Sequence, residues 1–146
     1  MEFINSSSNY FLNKSTYINL RWIGIIGQFL TINIVAFVFK FEFNYTLSNI
    51  IVIFGAITNV FLISYNRSTQ LSNKISFYYL LIDIFQLSLL LYLTGGILNP
   101  FSVFLIIPSV FASSNLNIKT NLILILVTIL SISILTLCIN SLSLEI

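Results

Sequence analysis

The sequence predicts an all-α fold, a polytopic transmembrane helix bundle of about five membrane helices joined by short loops. Of its 146 residues, 58% are hydrophobic and only 7% are charged, whereas soluble domains carry about 25% charged residues. The mean hydropathy is +1.02. The apolar residues also form runs close to the roughly 20 residues that a helix needs to cross a bilayer. These observations exclude a soluble globular domain, and the net charge of +2 is too small to indicate nucleic acid.

Two regions are predicted from the distribution of polar residues. Residues 1–21 are expected to be a short polar cytoplasmic N-terminal tail, and residues 22–146 a transmembrane domain. Arg21 and Trp22, a cation beside an amphipathic ring, are expected to anchor the start of the first helix at the membrane interface. The predicted spans are 22–39, 47–64, 75–94, 100–114 and 121–139.

The fourth span is the shortest. Residues 100–114 would make roughly 22 Å of α-helix, which is marginal for a full crossing. Pro108 is expected to kink this helix, because a proline inside a helix removes one hydrogen bond and crowds the preceding turn. The alternative is a re-entrant segment that returns to the side on which it began. Five full crossings are the preferred prediction.

The basic residues predict an orientation. Five of the six Lys and Arg residues lie before the first span or in loops that five crossings place on one side, and only Lys40 lies on the other. Those five are Lys14, Arg21, Arg67, Lys74 and Lys119. Since Lys and Arg are enriched in cytoplasmic loops, the N-terminus is expected inside, and residues 95–101 and the C-terminus outside.

Several kinds of chemistry are absent from the sequence. There is no histidine, and the one cysteine, Cys138, lies within an apolar run. No phosphate-cradling glycine loop, ATP-binding kinase box or Ser-His or Cys-His set is present. We therefore expect no catalytic residue, no metal site and no haem in this chain.

Residues 95–101 are the most informative stretch, because they interrupt two long apolar runs. Gly95 and Gly96 are suited to ending a helix, since glycine adopts the left-handed cap conformation without a Cβ penalty. Asn99 suits a helix N-cap, and Pro100 suits the first helical turn, where no N–H donor is needed. Local physics alone predicts a tight helix–loop–helix here.

The pattern Gly-Gly-x-x-Asn-Pro-Phe resembles the quinone-site motif of the RegB/PrrB family of redox-sensing membrane histidine kinases. Residues 20–28 and 82–87 resemble parts of the first and third membrane helices of that family. The resemblance implies that ubiquinone or menaquinone binds at the five residues of the motif. They are Gly95, Gly96, Asn99, Pro100 and Phe101.

The same resemblance implies a membrane sensory module of a redox-responsive two-component signalling protein, in the inner membrane of a bacterium. Membrane lipid and quinone are the expected partners, and a homodimer is the expected assembly. The chain looks like a truncated member without the kinase part, so a cognate response regulator is expected only where a longer form carries a kinase domain. A small transporter or channel subunit, and a membrane assembly protein without a ligand, are the alternative functions.

Asp83 and Gln86 are a second candidate site, within the predicted third span. A charged Asp at the bilayer centre costs about 2.5–3.5 kcal/mol on insertion scales, so a partner or a role is expected. One interpretation is that this site couples the quinone loop to the cytoplasm. The other is an interhelical polar contact, which is common in membrane bundles. For Asp83, the expected partner in such a contact is Asn59, Gln28 or Asn33.

Overall fold

The computed structural model describes residues 12–65 and 69–143, and it confirms the all-α prediction. The described residues form a helix bundle with one two-stranded β-ribbon at its end. Two 3-10 segments, Gly96–Leu98 and Pro100–Leu105, lie between the third and fourth helices. The other elements are β1 Leu12–Asn13, α1 Lys14–Phe37, α2 Tyr45–Tyr65, β2 Gln70–Leu71, α3 Asn73–Leu93, α4 Ile106–Asn115 and α5 Ile118–Ser143.

Four helices of the described chain are long and apolar enough to cross a membrane. Their outward faces carry large apolar side chains, such as Ile23 at 69% and Phe85 at 68% exposure. Soluble proteins rarely expose extensive apolar surface, because its contact with water is unfavourable. The chain is therefore a membrane protein. The four helical stretches are Lys14–Phe37, Tyr45–Ser64, Asn73–Leu93 and Ile118–Cys138.

Helix α1 begins earlier than the sequence indicated, at Lys14 rather than Trp22. Asn13 supplies the reason: its Oδ1 accepts the backbone N–H groups of Ser15 and Thr16, at 3.1 and 3.4 Å. Such an N-cap satisfies donors that have no partner inside the helix. Residues 14–21 of the predicted polar tail are thus the start of a membrane helix, while its residues 1–11 lie outside the described part.

The segment Pro100–Asn115 changes helix type along its length, from 3-10 to α at Ile106. Pro108 lies two residues after this change, in the first turn of α4. The residue for which a kink was predicted is therefore close to the point where the segment changes helix type. At about 2.0 Å per 3-10 residue and about 1.5 Å per α residue, the segment is about 27 Å long, although shorter in residues than the four long helices.

The two ends of the bundle differ. At one, which we call the ribbon end, β1 pairs antiparallel with β2 and the backbone N–H of Lys14 donates to Thr69 at 3.1 Å. Lys14 Nζ also donates to the carbonyl of Ile63 in the last turn of α2, at 3.2 Å, where a cation complements the helix dipole. The opposite end, which we call the loop end, carries residues 95–101.

Asn73 ties the start of α3 to the connection between α4 and α5. Its Nδ2 donates to Thr120 Oγ1 at 2.8 Å, and its Oδ1 accepts the backbone N–H of Asn117 at 3.1 Å. Both contacts lie at the ribbon end. The segment Pro100–Asn115 therefore runs from the loop end to the ribbon end, which favours a crossing over a re-entrant segment.

Apolar packing fills two regions of the bundle. One cluster lies between α3, α4 and α5 and includes Ile84, Ala112 and Leu124. The other lies between α1, α2 and α3 and includes Ile25 and Leu90. The two candidate sites lie on α3, which borders both clusters.

Candidate functional site

The loop at 95–101 starts with an irregular end to α3. Thr94 donates its backbone N–H to Leu91 at 3.1 Å, and its Oγ1 donates to the carbonyl of Leu90 at 2.9 Å. Gly95 and Gly96 follow with φ angles of 114° and 63°, which L side chains rarely adopt. The predicted role of the two glycines in ending the helix is confirmed.

Asn99 has its side-chain amide engaged within the loop. Its Oδ1 accepts the backbone N–H of Phe101 at 2.9 Å, which makes Asn99 the N-cap of Pro100–Leu105 as predicted. Its Nδ2 donates to both the carbonyl and the hydroxyl of Thr94, at 3.1 and 2.8 Å. The amide therefore closes the loop by tying the start of one helical segment to the end of the other.

An apolar and aromatic surface surrounds this loop. The side chain of Leu98 is 79% exposed and that of Tyr92 is 55% exposed. Phe101 is 37% exposed, and its ring centroid lies 5.6 Å from that of Phe104. At the end of a membrane bundle, such a surface is accessible from lipid. The five motif residues thus form one compact turn without charge, beside rings that a flat aromatic ligand could pack against.

Asp83 lies in a different part of the bundle, where α1 holds its carboxyl group. Tyr17 Oη donates to Oδ2, while Arg21 donates to Oδ1 from Nε at 2.9 Å and from Nη2 at 2.8 Å. Arg21 is only 7% exposed, so its predicted role as an interfacial anchor was wrong. The expected contact partners of Asp83 were also wrong: the described bonds do not join it to Gln28, Asn33 or Asn59.

The guanidinium group of Arg21 extends this contact to α2. Nη2 donates to Thr58 Oγ1 at 2.8 Å, and Nη1 donates to Asn59 Oδ1 at 3.4 Å. Asn59, which is fully buried, donates back to the carbonyl of Ile18 on α1 at 3.3 Å. The cation also lies 5.5 Å from the ring centroid of Tyr79. We call Tyr17, Arg21, Thr58, Asn59 and Asp83 the polar cluster.

Gln86 joins a separate contact, one helical turn from Asp83 towards the loop end. Its Nε2 donates to Gln28 Oε1 on α1 at 3.2 Å, and a Cβ atom at Gly55 would overlap its amide. Nearer the loop end of α1, Asn33 and Asn49 exchange amide hydrogen bonds at 3.1 and 3.4 Å. Polar side chains therefore link α1 to α2 and α3 at three successive levels.

These pairings bear on the transporter alternative, which needs polar side chains along a continuous path. Each of the five residues that could supply such a path is bonded to another side chain between helices. Those residues are Gln28, Asn33, Asn59, Asp83 and Gln86. Polar side chains that bond one another in this way hold helices together rather than line a path for a solute. Asp83 and Gln86 thus each contact a side chain on α1.

Sequence reasoning missed Tyr17 and Arg21, because both fell within the predicted tail. A signal was present: the two residues are four apart, and Gln28 follows seven later, so all three share one face of a helix. Recognising Asn13 as an N-cap would have extended the first helix to include Tyr17 and Arg21. Thr94, the partner of Asn99, was also missed.

The two sites are separated along α3 but lie on one stripe of it. Thr94 follows Asp83 by eleven residues, which is about 16 Å along the helix axis. Eleven residues are close to three full turns, so the two positions share a face, with Leu90 between them. A rigid helix therefore connects the loop to the polar cluster.

Comparison with known proteins identifies a sensor histidine kinase as a relative. The chain is 33% identical over 112 residues to the sensor histidine kinase RegB of Cereibacter sphaeroides. The aligned part covers 75% of this chain and 24% of that protein. No protein-family model matches the chain, and no solved structure is similar to it. The chain is thus similar to a sensor histidine kinase along three quarters of its own length, and it spans about a quarter of that relative.

Proposed function

We propose that this chain is the membrane sensory module of a redox-responsive two-component signalling protein, and that it binds a quinone at residues 95–101. One observation carries the proposal. In a chain similar to a sensor histidine kinase, all five residues of the Gly-Gly-x-x-Asn-Pro-Phe pattern form one uncharged turn beside an exposed apolar surface.

The chemistry of a quinone suits this place. A quinone has a flat ring, two carbonyl acceptors and an apolar tail. The ring would pack on Phe101 and Phe104, whose centroids are 5.6 Å apart, and the tail would follow the exposed surface towards lipid. The amide of Asn99 is the side-chain donor for a carbonyl. Gly95 is open on its exposed side, since a Cβ atom there would meet nothing within 4 Å.

Signalling requires only that the quinone prefer one arrangement of the helices. If the quinone binds one arrangement about 1.4 kcal/mol more strongly than the other, the ratio of the two populations changes tenfold. Helix α3 connects the loop to the polar cluster and through it to α1 and α2. In a longer form that carries a kinase domain, this change would reach the kinase and its response regulator, within a homodimer in the bacterial inner membrane.

Titration of the purified protein in nanodiscs with ubiquinone and menaquinone tests the proposal. We expect saturable binding of one of them, weakened several-fold by Phe101→Ala, which removes a ring contact. Asn99→Ser keeps the N-cap but removes the amide donor, so we expect a loss of about 2- to 10-fold. Phe85→Ala is the matched control, because Phe85 is exposed on α3 and lies away from the loop.

Saturable binding that Phe101→Ala and Asn99→Ser leave unchanged would place the ligand elsewhere. No saturable binding of either quinone to the unmodified protein would refute the proposal. The loop would then be a helix connection only, as in a membrane assembly protein without a ligand.

A further inference from the structure

Both N–H donors of the Asn99 side-chain amide are engaged in this structure. An amide nitrogen carries two N–H donors, and Nδ2 contacts both the carbonyl and the hydroxyl of Thr94, at 3.1 and 2.8 Å. We propose that Thr94 is a competing acceptor, so that a quinone carbonyl binds Asn99 only by displacing Thr94. This inference rests on the proposed quinone site and names the contact that binding must break.

Thr94 is in turn part of the end of α3. Its backbone N–H bonds to Leu91 rather than to Leu90, and its hydroxyl donates to the carbonyl of Leu90 instead. Two hydrogen bonds thus connect the loop to the last turn of α3: Asn99 Nδ2 donates to Thr94 Oγ1, which donates to the carbonyl of Leu90. Displacing Asn99 removes one donor from that hydroxyl and leaves the last turn less constrained.

Leu90 links these hydrogen bonds to the rest of the bundle. It is 6% exposed and packs in the cluster with Ile25, Ile51 and Val52, which lie on α1 and α2. It also lies on the same stripe of α3 as Asp83. Exchange of the Asn99–Thr94 contact for an Asn99–quinone contact would therefore act on the interface that α3 shares with α1 and α2.

Competition predicts a gain of affinity when the acceptor is removed. Thr94→Val keeps the shape of the side chain but removes the hydroxyl, so one Asn99 N–H loses its partner in the free protein. A quinone carbonyl then satisfies that N–H without breaking the hydroxyl contact. We expect quinone to bind about 2- to 10-fold more tightly than to the unmodified protein. A role for Thr94 only in holding the loop together predicts weaker or unchanged binding.

The experiment measures ubiquinone and menaquinone affinity of the full chain in nanodiscs, with helical content and thermal unfolding recorded for every variant. Thr94→Ser retains the hydroxyl and should bind quinone with the same affinity as the unmodified protein. Ser64→Ala is the control, since the hydroxyl of Ser64 donates to its own helix at Val60, at the ribbon end of α2. Thr94→Ala removes the same acceptor and should show the same gain if Thr94→Val does not fold.

A second background shows whether Thr94 acts through Asn99. In Asn99→Ser the amide is gone, so adding Thr94→Val should no longer raise the affinity. A gain that persists in that background, or a Thr94→Val protein that binds quinone no more tightly, would overturn the competition while leaving the quinone site intact. An unmodified protein without saturable binding would instead overturn the quinone site, and the competition with it.

Discussion

Arg21 has its guanidinium group buried between three helices, where a charge without a partner would be costly. Asp83 supplies the opposite charge and bonds Arg21 through two nitrogen atoms. The sequence marked Asp83 as unusual, because it was the one acidic residue within a predicted span. It did not identify Arg21 as the partner, because a contact 62 residues apart in sequence depends on how the helices pack.

Removing the carboxylate should leave this cation unpaired. We expect Asp83→Asn to lower the free energy of unfolding by about 3–5 kcal/mol, as found when one partner of a buried ion pair is lost. Chemical unfolding in detergent micelles, followed by circular dichroism, measures the change. Glu42→Gln is the matched control, since Glu42 is an exposed acid in the connection between α1 and α2, and it should change stability by about 0.5 kcal/mol or less.

The double variant Asp83→Leu with Arg21→Met separates charge from packing. It removes both ions, and apolar replacements of buried pairs are often neutral or stabilising. It should therefore be more stable than Asp83→Asn. If Asp83→Asn unfolds at the same denaturant concentration as the unmodified protein, the ion pair does not stabilise the bundle.

Among the helices, hydropathy predicted α2, α3 and α5 to within a few residues, because each is a long apolar run between polar loops. It placed the start of α1 too late, since Lys14 and Arg21 lower the apparent hydropathy of a segment that is nonetheless helical. It also did not predict the 3-10 form of Pro100–Leu105. This segment packs against α3, and hydropathy does not measure such packing or distinguish one helix type from another.

The earlier start of α1 gives a prediction about Asn13. Asn13→Ala removes the acceptor for the N–H groups of Ser15 and Thr16, and loss of an N-cap costs about 0.5–2 kcal/mol. We expect the first turn of α1 to exchange its amide protons several-fold faster in that variant, as hydrogen–deuterium exchange with mass spectrometry would show. Asn13→Ser retains a cap and should behave like the unmodified protein. Equal exchange in Asn13→Ala would mean that the β-ribbon, rather than the cap, holds the start of α1.

In the whole molecule, basic residues gather at one end of the bundle. Lys14 lies beside the β-ribbon, and Lys74 and Lys119 lie in the first turns of α3 and α5, while Lys40 lies at the other end. The sequence predicted this asymmetry because alternating spans place alternate loops together. The sequence also predicted the turn at 95–101, because glycine, asparagine and proline have strong local conformational preferences. The bond between Asn99 and Thr94 could not be predicted, because an amide can turn towards several acceptors.

Cysteine labelling tests the orientation and the fourth crossing together, in a protein whose Cys138 is first replaced by Ser. Ser72 is the exposed N-cap of α3, Ile118 is 72% exposed at the start of α5, and Leu98 is 79% exposed at the loop end. Since Lys and Arg are retained in the cytoplasm, single cysteines at 72 and 118 should react with an impermeant maleimide only in inverted vesicles. A cysteine at 98 should react in spheroplasts. If the cysteine at 118 is labelled in spheroplasts, like the cysteine at 98, Pro100–Asn115 does not cross the membrane. If each of the three cysteines is labelled in the preparation opposite to the expected one, the N-terminus is outside.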